Sequence, residues 1–364
     1  MNLRKYLLTG FLAAMLFLGG FYAGHFLELG EEASLLSPFS EQGVDKELPL
    51  RQYTIENLAK RRYQPSSIVV ERVLEETDSY TSYLFSYTSL NKKISGQLNV
   101  PNELLTSSVN EPTPAVLMLR GYVPEENYTT GAGTRNAAAY FAENGYLTIA
   151  PDFLGHGESD PEPSDVWEAR FIKPINVIEL ITSLKANPTL NIPTVTAKIT
   201  ADTEHLNIWA HSNGGQIALT TLEILGESIP TTLWAPVTSP FPYSVLYYSD
   251  ENEDEGRDAR AWVAQFEQEY DGREFSITQH LDRLTGPILL HHGTLDEAAP
   301  LSWSDEFVDK IEVENQRRAK ETEAQLPPIE ITYHTYSGTD HNMQPNWNTV
   351  VQRDLSFFNQ FLEN

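Results

Sequence analysis

The sequence predicts an α/β domain in which a mostly parallel sheet is buried between two layers of helices. Two observations support this fold class. From residue 115 onward, short apolar segments alternate with amphipathic stretches long enough to be helices, which is typical of parallel strands joined by helical crossovers. The composition, with 40% hydrophobic and 21% charged residues over 364 positions, permits a large core and argues against extensive disorder.

The predicted elements follow in a regular order after Pro65. Three strands come first, at 68–74, 83–87 and 94–100, and indicate an antiparallel entry to the sheet. Six further strands are predicted at 115–119, 146–150, 206–210, 231–235, 287–291 and 329–336. The helices between and after them are predicted at 134–144, 175–186, 214–225, 302–325 and 346–362. Functional side chains are expected where the parallel strands end, because ligands bind at that edge of such sheets.

The N-terminal segment predicts a membrane anchor. Arg4 and Lys5 precede an uncharged, mostly apolar run over residues 6–27, and a helix of that length spans about 33 Å. Secretion after signal cleavage is the alternative, although a cleaved signal usually has a shorter apolar region and a small-x-small cleavage site. The basic flank predicts a cytoplasmic N-terminus and a folded domain outside the membrane.

The predicted organisation therefore has three parts. Residues 1–27 are the anchor or signal segment, residues 28–65 are a polar linker, and residues 66–364 are the folded domain. Within that domain, nearly fifty residues at about 238–285 separate two predicted core strands. A connection of this length predicts a small cap above the sheet. Four aromatic residues of the cap could line a substrate pocket or pack the cap onto the body: Phe241, Tyr243, Tyr247 and Trp262.

Charge and composition exclude several classes of function. The formal net charge is −26, from 51 Asp and Glu against 25 Lys and Arg, which argues against nucleic-acid binding. The chain has no Cys, so disulfides, thiolate metal sites and Cys nucleophiles are ruled out. The acidic run at 250–258 has Gly256 at its seventh position, whereas an EF-hand loop needs Gly at the sixth. No nucleotide-binding or H-E-x-x-H motif occurs either, so neither a cofactor nor a metal is expected.

The run NIWAHSNGGQIAL, residues 207–219, carries the most informative motif. Ser212 stands where a predicted strand ends and a predicted helix begins, with Ala210 and Gly214 two positions before and after it. A nucleophile on such a turn needs small neighbours because backbones approach closely, and the following helix offers free amides. The alternative is an ordinary polar residue in a turn, since A-x-S-x-G alone is a loose pattern.

A serine nucleophile needs a base, and the base needs an acid that orients it. Asp296 follows the penultimate predicted strand and His341 follows the last, which is the chain order expected for this architecture. Asp296 could instead cap the next helix. His291 and His292 end a core strand, where structural histidines are the more common outcome.

Acyl transfer also requires hydrogen-bond donors for the oxyanion. The first candidate is the backbone N–H of Asn213, directly after Ser212, and the second is the backbone N–H of Tyr122, in the loop after strand 115–119. Gly121 would let that loop approach the substrate. The ring of Tyr122 could alternatively be a packing aromatic, or its hydroxyl could be the donor.

Six runs in one order together resemble the catalytic domain of the α/β-hydrolase superfamily: LRGY, GYLTIAPDFLGHGESD, AHSNGG, LWAPVT, LHHGTLDEAAP and YSGTDHN. They most resemble the prolyl oligopeptidase branch and the neighbouring dienelactone-hydrolase-like esterases. The resemblance covers roughly residues 67–364. It implies a three-layer fold with a mostly parallel, eight-stranded sheet and a small cap.

The resemblance also implies a serine hydrolase that works through a covalent acyl-enzyme. Ser212, Asp296 and His341 correspond to the triad, and Asn213 and Tyr122 fall at the oxyanion positions. The expected substrate is a small ester or a short peptide, with no cofactor, and the oligomeric state is not predicted. An acyltransferase and a catalytically silent binding module are the alternatives.

The pattern departs from the superfamily at three points. Ala210 replaces the usual Gly, and Arg120 stands where His often precedes the Gly of the oxyanion loop. The β-propeller of large oligopeptidases is not expected, because only about 65 residues precede the domain. A structural loop after the second parallel strand is matched by four residues: Asp152, Gly155, Gly157 and Ser159.

Overall fold

The computed structural model describes residues 48–107, 111–193, 198–249, 254–321 and 326–362. The predicted anchor at 1–27 and the first part of the predicted linker lie outside the described residues. Within the described ranges, no helix is both long and apolar enough to cross a membrane.

A ten-stranded sheet organises these residues. The strands are β1 (Val69–Glu76), β2 (Tyr80–Ser89), β3 (Lys92–Pro101), β4 (Thr113–Leu119), β5 (Leu147–Pro151), β6 (Thr189–Asn191), β7 (Lys198–His211), β8 (Thr231–Trp234), β9 (Ile288–Gly293) and β10 (Ile331–Tyr336). Nine of them follow the spatial order β1-β2-β3-β5-β4-β7-β8-β9-β10, and β6 pairs with the first part of β7.

Strand direction confirms the predicted mostly parallel sheet. β5, β4, β7, β8, β9 and β10 are parallel neighbours, whereas β1, β2 and β3 join them antiparallel. The expected number of eight strands is wrong. β1 adds an antiparallel edge strand, and β7 extends at its N-terminal end far enough to form a short hairpin with β6.

Helices cover the sheet and connect its strands. They are α1 (Ile55–Lys60), α2 (Asn102–Thr106), α3 (Arg135–Glu143), α4 (Val166–Phe171), α5 (Lys173–Ala186), α6 (Asn213–Leu225), α7 (Tyr243–Tyr247), α8 (Arg257–Glu269), α9 (Leu301–Lys320) and α10 (Trp347–Asn359). Helices α1, α5 and α6 pack together, as do α3 and α10. Between the second pair and the sheet lies an apolar cluster that includes Met118, Phe141, Trp209, Trp234 and Phe358. Successive side chains of a strand thus point to opposite faces of the sheet and pack against the helices on each face.

The segment at 49–60 belongs to this compact unit, which corrects the predicted linker boundary at residue 65. Leu50, Tyr53, Ile55 and Leu58 are buried. The Tyr53 hydroxyl donates to Glu168 at 2.7 Å, from one end of the described chain to helix α4. The sequence indicates a short helix near residues 55–62 within the predicted linker, and α1 lies there.

The predicted cap at about 238–285 contains α7, α8 and three short 3₁₀ turns at Gly272–Phe275, Ile277–Gln279 and Leu281–Arg283. Phe241 and Phe266 of this region pack with Trp167 and Phe171 of α4, with ring centroids 5.2–6.2 Å apart. Such aromatic contacts bury large apolar areas. Helix α4 therefore packs with the cap although it lies outside the predicted range.

Candidate active site

Ser212 lies on a strained turn between β7 and α6. Its backbone has φ 56° and ψ −122°, a conformation that L-residues rarely adopt and that costs free energy unless the surroundings enforce it. Three backbone hydrogen bonds do so. The Ser212 N–H donates to the Trp234 carbonyl at 2.9 Å, and the Ser212 carbonyl accepts from Gly215 at 2.9 Å and from Val237 at 3.1 Å. The parallel neighbour β8 and the first turn of α6 thus fix the serine.

The residues two positions from Ser212 explain which side chains this turn tolerates. A Cβ atom at Gly214 would lie 2.1 Å from the backbone oxygen of Leu119, a contact that only glycine avoids. Ala210, in contrast, is fully buried in regular register between Leu119 of β4 and Leu233 of β8. Its methyl group is accommodated within the sheet, so the departure from Gly at this position leaves the turn intact.

We expect Gly214→Ala to lower the free energy of unfolding by about 3 kcal/mol, because the new methyl group meets a backbone carbonyl that cannot rotate away. Gly226, at the other end of α6, is the matched control. It has φ 64°, and no atom lies within 4 Å of the position that a Cβ atom would take, so Gly226→Ala meets only backbone strain of about 1 kcal/mol. Urea denaturation measures both, and equal losses would contradict the steric argument.

Asp296 and His341 meet in the loops that follow β9 and β10. The Asp296 Oδ2 atom accepts from His341 Nδ1 at 2.8 Å, and the Asp296 side chain is fully buried. Its other oxygen accepts from the backbone N–H groups of Ala298 at 2.9 Å and Ala299 at 2.8 Å. Burial alone would raise the pKa of Asp296, but the hydrogen bonds from His292, His341 and Ala299 outweigh it and hold that pKa well below its usual range.

His292 is a second histidine on the same carboxylate. Its Nε2 atom lies 3.1 Å from Asp296 Oδ2 and 2.9 Å from the Ala299 carbonyl, which can only accept. The proton is therefore assigned to Nε2, and Nδ1 accepts from the Ser304 hydroxyl at 2.7 Å. The sequence alone favoured a purely structural role for His292. Its spacing of four residues before Asp296 was the available indication that the two interact.

His211, the residue before the serine, also contacts the histidine of the site, and the sequence motif gave it no role. Its Nε2 atom donates to the His341 carbonyl at 2.9 Å, and the two rings lie 4.7 Å apart. Burial, with a smaller contribution from His341, lowers the pKa of His211 to about 4. The ring is therefore neutral near pH 7 and holds the backbone of His341 beside the Ser212 turn.

This lowered pKa makes stability depend on pH. Between pH 6.5 and 4 the unfolded chain protonates His211 while the folded chain does not, so the free energy of unfolding falls as the pH falls. One such group contributes up to about 1.4 kcal/mol per pH unit. We expect His211→Gln, which keeps an N–H donor, to make this decline shallower in urea denaturation at pH 7, 6 and 5. Parallel profiles for the two proteins would contradict the assignment.

The two predicted oxyanion donors lie near the serine. Asn213 begins α6, and a Cβ atom at Gly121 would lie 3.0 Å from the Ser212 Cβ, which shows how closely the loop after β4 approaches. In the described part of the chain, the N–H groups of Asn213 and Tyr122 donate to no protein acceptor. The Tyr122 side chain is 79% exposed, which argues against the packing alternative.

Arg120 fixes the orientation of this loop. Its buried guanidinium donates to the Gly121 carbonyl at 3.0 Å and to the Asp152 carbonyl at 2.9 Å, and it lies 4.6 Å from the centre of the Tyr128 ring. The Gly121 carbonyl and the Tyr122 N–H belong to one planar peptide unit. Holding the carbonyl therefore sets the direction of the N–H, which gives a physical role to the arginine that replaces histidine.

The loop after β5 is hydrogen-bonded to the loop after β4. Asp152 is fully buried and accepts from the Tyr128 hydroxyl at 2.6 Å, from Thr130 Oγ1 at 3.0 Å and from Ser95 Oγ. A Cβ atom at Gly157 would lie 2.2 Å from an Asp152 oxygen, so this loop needs a residue without a side chain there. The predicted structural loop is thus tied to the loop that carries Tyr122.

A cavity of about 280 Å³ opens beside this site. Of the predicted site residues, Asn213 lines it, and residues of α1, α4, α5, α6 and the cap complete its wall. Trp262 of the cap also lines it, whereas Phe241 packs in the aromatic cluster.

Among the described residues, no group of three or more His, Asp or Glu side chains is arranged to hold a metal ion. Residues 250–253 of the acidic run lie outside the described ranges.

Solved structures with this fold include esterases and peptidases. The acetyl xylan esterase from Paenibacillus sp. R4 superposes with a TM-score of 0.58 at 15% identity, covering 83% of this chain and 91% of the esterase. Acetyl xylan esterase 1 from Thermoanaerobacterium sp. JW/SL YS485 gives 0.54 at 13% identity, with 85% and 93% covered. A Mycobacterium tuberculosis puromycin-hydrolyzing peptidase gives 0.55 at 17% identity, with 79% of this chain covered, and this chain spans 40% of that peptidase. At such identities the likeness shows the fold.

The sequence carries a second, independent likeness. The sequence model of the prolyl oligopeptidase family matches residues 193–364. This match and the shared fold together support a serine hydrolase with an α/β-hydrolase fold. No curated protein sequence matches the hydrolase. The matched range contains Ser212, Asp296 and His341, whereas Tyr122 lies before it.

Proposed function

We propose that the hydrolase cleaves small carboxylic esters or short peptides through a covalent acyl-enzyme, with Ser212, His341 and Asp296 as the triad. The observation that carries the proposal is the 2.8 Å hydrogen bond between His341 and the buried carboxylate of Asp296, with the His341 backbone held by His211, the residue before Ser212. An ionised acid on Nδ1 orients the imidazole and leaves Nε2 free to take a proton. A catalytically silent binding module has no need of this arrangement.

The proposed reaction uses these groups in sequence. Ser212 Oγ attacks the substrate carbonyl carbon while His341 Nε2 accepts the hydroxyl proton, and Asp296 stabilises the imidazolium. The N–H groups of Asn213 and Tyr122 donate to the oxyanion. His341 then gives the proton to the departing alcohol or amine as the carbonyl re-forms. A water molecule attacks the acyl-enzyme by the same route and regenerates the serine.

Substrate size follows from the cavity beside Asn213. Its volume of about 280 Å³ is at the lower end of the range for ligand sites and suits a small acyl or aminoacyl group. Both esters and peptides can react at the same triad, because the acyl-enzyme is common to them. An acyltransferase would use the same residues and differ in the acceptor that attacks the acyl-enzyme.

Active-site labelling tests this proposal directly. A fluorophosphonate probe should form a stoichiometric adduct on Ser212, located by peptide mass spectrometry, and acyl 4-nitrophenyl esters and aminoacyl 4-nitroanilides should identify the substrate class. The absence of any adduct on folded protein, or an adduct on another serine, would overturn the assignment. Product analysis with alcohol and amine acceptors separates hydrolysis from acyl transfer.

A further inference from the structure

Two cations line the cavity beside Asn213, and neither has an acidic ion-pair partner in the part of the chain that the structure describes. Arg170 lies at the end of α4, and Lys173 is the first residue of α5. Among the described residues, no carboxylate comes within ion-pair distance of either group. The absence is notable because the hydrolase carries 51 acidic residues against 25 basic ones.

The contacts of Arg170 keep its charge directed at the cavity. Its guanidinium donates to the side-chain carbonyl of Gln216 in α6 and lies 5.7 Å from the centre of the Phe241 ring. Both partners are neutral, so neither compensates the positive charge. An arginine held in this way retains N–H donors for a planar anion such as a carboxylate.

Lys173 is a second, less constrained cation on the same wall. Glu162 also lines the cavity and attracts the ammonium group without forming an ion pair with it. Burial is the largest influence and lowers the pKa of Lys173 to about 8, with Arg120 and Arg170 acting in the same direction and Glu162 opposing them. The two cations outnumber the one carboxylate of this wall, so the lining carries a net positive charge that an anionic ligand would stabilise.

The cavity adjoins the proposed reaction centre. Asn213 lines it, and the N–H of the same residue is a proposed oxyanion donor at the positive end of α6. Burial and the charge of Asp296 raise the pKa of the Tyr248 phenol, whereas the charge of Arg170 lowers it.

We propose that Arg170 and Lys173 form an anion subsite that binds a carboxylate carried by the substrate. This inference rests on the proposed function and adds a substrate class to it: esters or peptides with a carboxylate close to the scissile bond. The rest of the wall is largely apolar, with Trp167, Phe171 and Ile217, and suits the hydrocarbon that separates the two groups. Arg170 contributes planar donors, and Lys173 contributes a compact point charge.

Matched substrates test the subsite on either side of the scissile bond. The acyl pair is the mono-4-nitrophenyl ester of adipic acid and the 4-nitrophenyl ester of adipamic acid. The leaving-group pair is 4-acetoxybenzoate and 4-acetoxybenzamide. In at least one of the two pairs, we expect kcat/KM at pH 7 to be about ten- to a hundredfold higher for the anion than for the neutral amide. This is the range for hydrogen bonds to charged groups.

Lys173→Gln should reduce that anion-to-neutral ratio about tenfold, and Lys173→Arg should retain most of it. Lys185→Gln is the matched control, because it makes the same charge change at the other end of α5. Lys185 pairs with Glu227 at the surface and does not line the cavity. Its ratio should equal that of the unmodified hydrolase.

The ratio should also fall between pH 7 and pH 9 in the unmodified hydrolase, because Lys173 loses its charge as the pH passes about 8. In Lys173→Gln this decline should be absent. A lysine with a purely structural role would not impose such a pH profile on substrate preference.

The outcomes separate the subsite from the reaction itself. Ser212-dependent hydrolysis of the neutral amides without an anion preference in either pair would overturn the subsite and leave the proposed function standing. An equal loss for both members of a pair in Lys173→Gln would also overturn it, since that indicates a structural role. If no substrate turns over and no fluorophosphonate adduct forms, the proposed function fails and the subsite fails with it.

Discussion

Replacing Ser212 with alanine is expected to reduce kcat/KM of the hydrolase by about 10,000-fold or more. The substitution removes the attacking oxygen and with it the acyl-enzyme route. The backbone hydrogen bonds of residue 212 to Trp234, Gly215 and Val237 do not involve the side chain, so the turn should persist. Residual activity would come from the amides and from substrate binding alone.

Ser337→Ala is the matched control for this experiment. Ser337 follows β10 on the exposed surface, and its loss should leave kcat/KM within about twofold of the unmodified hydrolase. Both variants should unfold at similar urea concentrations. A Ser212→Ala protein that stays folded and retains more than about a tenth of the activity would contradict the assignment of the nucleophile.

Replacing Asp296 with asparagine is expected to have the second largest effect, a fall in kcat of about 10,000-fold. The asparagine amide could present N–H donors where His341 and His292 now donate to a carboxylate at 2.8 and 3.1 Å. An amide NH2 facing His341 favours the wrong tautomer of this histidine, with its proton on Nε2 and no free base for the serine. The negative charge that stabilises the imidazolium is lost as well. Steady-state and burst kinetics with the best nitrophenyl ester measure this loss.

A second buried aspartate allows a strict comparison. Asp354 accepts from His291 at 2.9 Å and from Trp234 at 2.7 Å within the core, away from Ser212. We expect Asp354→Asn to lower the free energy of unfolding while kcat of the folded fraction stays within about threefold. Similar losses of kcat in both variants would indicate that Asp296 acts through stability alone.

The parts of the site that the sequence predicted are those governed by local constraints. Ser212 is recognisable because a strained strand-to-helix turn needs a very small residue at 214, where a Cβ atom would lie 2.1 Å from the Leu119 oxygen. Asp296 and His341 were found because parallel strands bring successive loops to one edge of the sheet. Their hydrogen bond was predictable from chain order and strand position.

Features that depend on contacts between distant segments were not predicted. The packing of His211 against the His341 carbonyl joins residues 130 positions apart. The meeting of Arg170 with Gln216 depends on how α4 and α6 lie against each other, which no local pattern encodes. The same holds for Tyr53, whose hydroxyl reaches α4 from a segment that reads as a polar linker.

The replacement of histidine by Arg120 has a consequence for the working range of the enzyme. An imidazole at this position would titrate near neutral pH, so the strength of its hydrogen bond to the Gly121 carbonyl would change with pH. Burial lowers the pKa of the Arg120 guanidinium, with Tyr128, Asp152 and Glu162 opposing it, but arginine starts from so high a pKa that it stays protonated near neutral pH. We therefore expect the direction of the Tyr122 N–H to stay constant around neutral pH, and the pH limits of turnover to come from other groups.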